Sequence, residues 1–144
     1  MPLIPSNVDH TRLLLGQIPW FSALPEAARA DLLSGCTWHS IPGGEVLFHE
    51  GETSDAAYLV LSGSFAAFCR TESGHERIGL IVMGETVGEL GVLTQLPRNA
   101  TVRALRDSEV LRIPAPHLEK FGAQFPQALV ALSQLALRRA GAPR

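Results

Sequence analysis

Between residues 36 and 113 the chain runs in short apolar segments, each too brief for a helix and most of them flanked by glycine. Six stand out: Val46-Leu47-Phe48, then 57–61, 65–69, 78–82, 101–105 and 110–113. Gly43, Gly44, Gly51, Gly63, Gly74, Gly84 and Gly88 fall between or beside them. Strands this short, at this spacing, with glycine turns, predict an antiparallel barrel or jelly roll. Ser62-Gly63-Ser64, set between two such runs, predicts a tight hairpin.

Helical patterns flank this zone. In residues 6–35, Ser6 and Asp9 have capping-box spacing, and Leu14, Leu15 and Ile18 form an apolar stripe that Pro19 should stop. A second helix should open at Pro25, bury Ala28, Leu32 and Leu33, and end at Ser34-Gly35. In residues 115–140, Phe125, Leu129, Leu132 and Ala136 follow helical spacing, Leu135 and Leu137 broaden the face, and Arg138 and Arg139 suit a helix C-terminus. A lid, a homodimer surface and plain core packing all fit that breadth. Residues 140–144 read as the start of a linker. The expectation is one domain over 1–144, belonging to a larger protein; with 46% hydrophobic and 18% charged residues it can bury a core.

Twelve Lys and Arg against fourteen Asp and Glu give a net charge of -2, against a general nucleic-acid or anionic-membrane binder. No apolar run reaches the roughly 18 residues needed to span a bilayer, and Met1 to Asn7 lacks a signal-peptide pattern, so a cytoplasmic location is expected. Cys36 and Cys69 read as small core residues. The five histidines are scattered without metal-ligand spacing, and no serine sits in a Gly-x-Ser-x-Gly setting. No catalytic residue and no metal or other cofactor is expected.

Residues 84–102 carry the chemistry. Gly88 frees the backbone for a close approach, and a short helix over residues 89–95 would aim its first N–H groups back at that glycine. Arg98 returns to the same place with a fork suited to phosphate, and Glu89 can accept from sugar hydroxyls or pair with Arg98. An arginine for a phosphodiester and a carboxylate for a hydroxyl describe a nucleotide with a compact sugar phosphate.

Val87-Gly88-Glu89-Leu90-Gly91-Val92 followed by Pro97-Arg98-Asn99-Ala100-Thr101-Val102 resembles the phosphate-binding cassette of the cyclic-nucleotide-binding domain family. Residues 47–55 and 58–63 match that family's upstream signature. The resemblance covers about residues 17–140. It implies an eight-stranded antiparallel β-roll with N-terminal helices, a short cassette helix and C-terminal lid helices. It also implies that Arg98 holds the phosphate and Glu89 the ribose 2′-hydroxyl, with backbone N–H groups around Gly88, Glu89, Leu90 and Ala100 completing the cradle. Asn99 stands where the family usually has Ala, Ser or Thr; it donates and accepts, which leaves cAMP and cGMP both open. Residues 87–94, 101–109 and Ile18-Pro19-Trp20-Phe21 with Leu24 are similar to regulatory domains of bacterial patatin-like phospholipases related to neuropathy target esterase. The implied partner is then an effector domain in cis, possessing the lipid-esterase activity this chain lacks.

Overall fold

The structure is a computed structural model that describes residues 8–130. Three helices lead in: α1 (Val8–Gly16), α2 (Pro19–Ser22) and α3 (Glu26–Ser34). Five strands follow: β1 (Thr37–Ile41), β2 (Val46–Phe48), β3 (Ala56–Ser62), β4 (Ser64–Thr71) and β5 (Gly74–Val82). Then come β6 (Thr86–Val87), α4 (Glu89–Thr94), β7 (Thr101–Ala104), β8 (Ser108–Pro114) and α5 (Ala115–Gln124). The described strands form two four-stranded antiparallel sheets, ordered β1-β8-β3-β6 and β2-β7-β4-β5, which is the expected eight-stranded roll.

β3 explains the layering. Ala56, Tyr58 and Val60 point into the roll, beside Phe65, Ile81, Val102 and Val110. Ala57, Leu59 and Leu61 point the other way, onto α1, α2, α3 and α5 through Leu15, Phe21, Leu32, Leu118 and Phe121. A strand covered on both faces reads as a continuous apolar run, which is why 57–61 was legible without alternation. Trp20 donates its indole N–H to Gly84 O at 2.8 Å, seating the helical lead-in on the turn before β6.

Four expectations need correction or completion. Ser62-Gly63-Ser64 is not a hairpin: β3 and β4 lie in different sheets, and the chain crosses between them at Gly63 (φ 89°). A Cβ there would overlap the Ser108 side chain and sit 2.7 Å from its Cα, so the crossing is a close approach of two backbones. Pro19 does not itself end the first helix, which stops at Gly16; the proline opens α2, where its fixed φ is already helical. β1 and the two-residue β6 add to the six segments legible in the sequence. The C-terminal helix is broken: α5 stops at Gln124, Phe125 takes an extended φ of -130° ahead of Pro126, and helix resumes over residues 126–130. Phe125, Ala128 and Leu129 pack on the helical core. Ser6 of the capping box, and Leu132, Leu135, Ala136, Leu137, Arg138 and Arg139 of the final stripe, lie outside the described residues.

Candidate functional site

Gly88 takes a left-handed φ of 82° and turns β6 into α4. A Cβ on it would overlap Arg98 Nη1 and stand 3.3 Å from the Phe48 ring, so the glycine admits the guanidinium as well as the turn. Arg98 is 4% exposed. Its Nη1 donates to Gly88 O at 3.0 Å, and its Nη2 donates to Ala56 O at 2.6 Å and to Asp55 Oδ1 at 3.3 Å. The guanidinium carbon lies 4.0 Å from the centre of the Phe48 ring, within cation–π range. Arg98 Nε is buried without a hydrogen-bond partner among the described residues. Burial lowers the Arg98 pKa, opposed by Tyr58 and Asp55, yet an arginine starts so far above neutrality that it stays charged.

The upstream loop clamps Arg98 through the backbone. Arg98 N donates to Glu52 O and Gly51 N donates to Arg98 O, each at 2.8 Å. The two sequence motifs are therefore one structural unit. The same loop supplies Asp55, whose second oxygen accepts from Arg112 Nη2 at 3.4 Å. One carboxylate shared by two guanidiniums leaves the pair of arginines with excess positive charge. Burial raises the Tyr58 phenol pKa, against the lowering influence of a hydrogen bond with Arg112.

Glu89 is 1% exposed and begins α4, with its Oε1 accepting from Thr86 Oγ1 at 2.8 Å. Leu90 is half-buried beside it, Ala100 is buried, and Asn99 is exposed while its carbonyl accepts from Cys69 Sγ at 3.2 Å. Gly88, Glu89, Leu90, Arg98, Asn99 and Ala100 all line one cavity of about 370 Å³, closed on the roll side by residues of β2, β4, β5 and β7. That volume is in the range of small-molecule sites. Among the described residues no group of His, Cys, Asp and Glu is placed to hold a metal ion.

Sequence reasoning gave no role to Asp55, Phe48 or Thr86. Asp55 and Phe48 stand in the quoted upstream signature, and the signal that could have found them was its pairing with the cassette. A buried arginine needs an opposite charge or acceptors for its N–H groups, and that signature holds the carboxylate, with the Phe48 ring beside it.

An eight-stranded β-roll with a short helix behind a left-handed glycine and a buried arginine defines the class of domain, and its relatives give the family. The profile of the cyclic nucleotide-binding domain matches residues 38–125; the chain belongs to this family. It is 34% identical over 103 residues to lysophospholipase nte1 of Aspergillus terreus, covering 71% of this chain and 7% of that protein. Lysophospholipase NTE1 of Candida albicans is 35% identical over 146 aligned positions, 92% of this chain and 10% of its own length. The chain thus spans about a tenth or less of these curated relatives. The catabolite activator protein of Thermus thermophilus superposes with a TM-score of 0.74 at 28% identity, covering 85% of this chain and 58% of its own.

Proposed function

We propose that this domain is a cyclic-nucleotide sensor that regulates an effector joined to it in the same chain. The observation that carries the reading is the buried Arg98 guanidinium, in the wall of the cavity beside Gly88 and the start of α4. A buried cation is stabilised by an anion, and far more strongly than in water because the local dielectric is low.

Arg98 would hold the cyclic phosphate, supported by backbone N–H groups at Gly88, Glu89, Leu90 and Ala100. Glu89, held by Thr86, would accept from the ribose 2′-hydroxyl. Asn99 at the exposed rim would reach the phosphate or the base, so cAMP and cGMP are both candidates. Output would pass through α4: Val92 and Leu93 belong to the same apolar cluster as Leu118 and Phe121 of α5. A ligand that favours one placement of α4 therefore favours one packing of α5. The relatedness to lysophospholipases and to patatin-like phospholipase domain-containing protein 7 of Rattus norvegicus supports a patatin-like phospholipase or esterase as the effector, with this chain as its regulatory, non-catalytic part.

Calorimetry of the purified chain with cAMP and cGMP, alongside Arg98→Ala, tests the reading. The expected result is binding to at least one nucleotide, weakened in the variant by about a hundredfold or more, or ~3 kcal/mol. No heat and no thermal stabilisation from folded protein would reject it. A second reading has its own support: three of the guanidinium's hydrogen bonds are already internal, so in the alternative, a ligand-free interaction or dimerisation module, Arg98 would serve as a strut.

A further inference from the structure

The helices pack on the β1-β8-β3-β6 sheet, and among the described residues no helix joins a cluster on the outer face of the β2-β7-β4-β5 sheet, where Ala66 is buried and the larger side chains around it are exposed. Because Phe65, Ile81, Val102 and Ala104 point into the roll, alternation turns Ser64, Leu80, Val82, Arg103 and Leu105 outward. Register then places Val82 beside Ser64 in one cross-strand row, and Leu80, Ala66 and Arg103 in the next. Leu105 follows β7 and donates its N–H to Ser64 O at 2.9 Å, which puts it in the first row. Leu80, Val82 and Leu105 are 47%, 42% and 46% exposed, and they stand within two strand spacings and one row, roughly 12 Å, of one another. Met83, 42% exposed, follows directly.

The other end of the same face is cationic. Arg70 and Arg103 supply the charge around a cleft of about 610 Å³ that also takes in Phe68, Thr101, His75 and His49, the last hydrogen-bonded to Glu52 at 3.0 Å. Arg77 sits opposite Phe68 in the register. The acidic residue of the cleft is Glu50, whose Oε1 accepts the Arg70 backbone N–H at 2.9 Å and so partly spends its charge there. The net charge of -2 provides no attraction over the molecule as a whole, so any attraction to anions is local to this face.

Three large aliphatics facing water are a cost to a purely soluble surface, and clustered arginines do not suit an apolar protein contact. The boundary between acyl chains and anionic headgroups satisfies both, with the aliphatics in the first and the guanidiniums on the phosphates. We propose that this face docks on anionic phospholipid membranes through Leu80, Val82 and Leu105 beside Arg70, Arg77 and Arg103. The proposal is independent of nucleotide binding, which uses the inside of the roll.

Co-sedimentation of the 144-residue chain with phosphatidylcholine vesicles, with and without phosphatidylserine, tests it. Sedimentation is expected with the anionic vesicles, and added salt should release the protein. Arg70→Glu with Arg103→Glu should weaken it at least about tenfold, and Leu80→Ser with Leu105→Ser should also reduce it in a protein that keeps its circular dichroism. Failure to sediment, equal binding to neutral vesicles, or binding indifferent to both variants would overturn the proposal. So would a dimer in sedimentation velocity that the leucine variant dissociates while vesicles capture nothing, since the face would then belong to a second copy.

Discussion

Arg98 is fixed on both its backbone and its side chain by the protein's own groups. Its main chain bonds the 51–52 loop, and its guanidinium spans Gly88 O, Ala56 O and Asp55 above the Phe48 ring. Charge alone does not reproduce that arrangement, because a lysine offers a point charge with no fork. Arg98→Lys should therefore retain more folding stability than Arg98→Ala, yet lose nearly as much nucleotide affinity. Arg98→Ala should cost about 1–3 kcal/mol of ligand-free stability, since it leaves Gly88 O and Ala56 O without that donor. Urea denaturation beside calorimetry separates the two effects. If the strut reading were the whole role, stability would fall with no affinity to lose. Gly88→Ala should be more damaging than its size suggests. The left-handed backbone costs about 1–2 kcal/mol for an L-residue, and the new methyl would displace Arg98 Nη1. Nucleotide binding should disappear in a protein that still folds, which calorimetry at a temperature below the variant's melting point would show.

Elements whose burial pattern is local were legible in the sequence; elements defined by their partners were not. β3 announced itself because both faces are covered, and α3 because Pro25 and Gly35 bracket a helical stripe. β6 is two residues long and exists only by pairing with Tyr58 and Leu59, so no window of sequence could reveal it. The hairpin at Gly63 was misread for a similar reason: a glycine between two apolar runs marks a sharp change of direction, whether the strands then pair or part. The candidate site was legible as Gly88, Glu89 and Arg98, because a cassette is contiguous. Asp55 stayed without a role because it meets Arg98 only through the fold, 43 positions away. The sheet crossing gives the prediction that belongs to this scale. Gly63→Ala meets the Cα of Ser108, which cannot swing aside, so β8 itself must shift. A loss of about 2–4 kcal/mol is expected, from the left-handed backbone plus overpacking. Ser108→Ala made together with it would relieve the overlap with the hydroxyl but leave the Cβ and Cα conflicts, and would remove the hydroxyl's bonds with Ser64 N and Arg106 O. Urea denaturation should therefore find only a small part of the stability recovered; near-full recovery would show that β8 does not resist.

The whole molecule divides its apolar interior in two, one cluster inside the roll and one between a sheet and the helices, and β3 belongs to both. The site opens on the first and α5 rests on the second, so α4, between them, is where a ligand could act on the helical layer. Folding should couple the layers, and the helical layer carries a titratable probe. Cys36, where α3 passes into β1, packs on the helical cluster and donates its thiol to Leu32 O at 3.0 Å. Burial pushes its pKa up from 9.0 to about 12. Between those values the unfolded chain has released this proton and the folded chain has kept it. Stability must then fall as pH rises through that window, and the contribution is constant below it. Three units correspond to a ceiling of about 4 kcal/mol, lowered by the solvent that reaches a half-buried thiol. Tyr58, also raised by burial, acts in the same direction at higher pH. The difference between wild type and Cys36→Ala isolates the cysteine. Denaturation midpoints measured across about pH 8 to 11 should run parallel at first and then converge or cross, as the wild type loses stability that the variant does not. If the unfolding transitions of an indole signal near Trp20 and of nucleotide-binding competence shift together along that series, the layers unfold as one unit. Separate shifts would place Cys36 and the helical layer in a unit that opens without the roll.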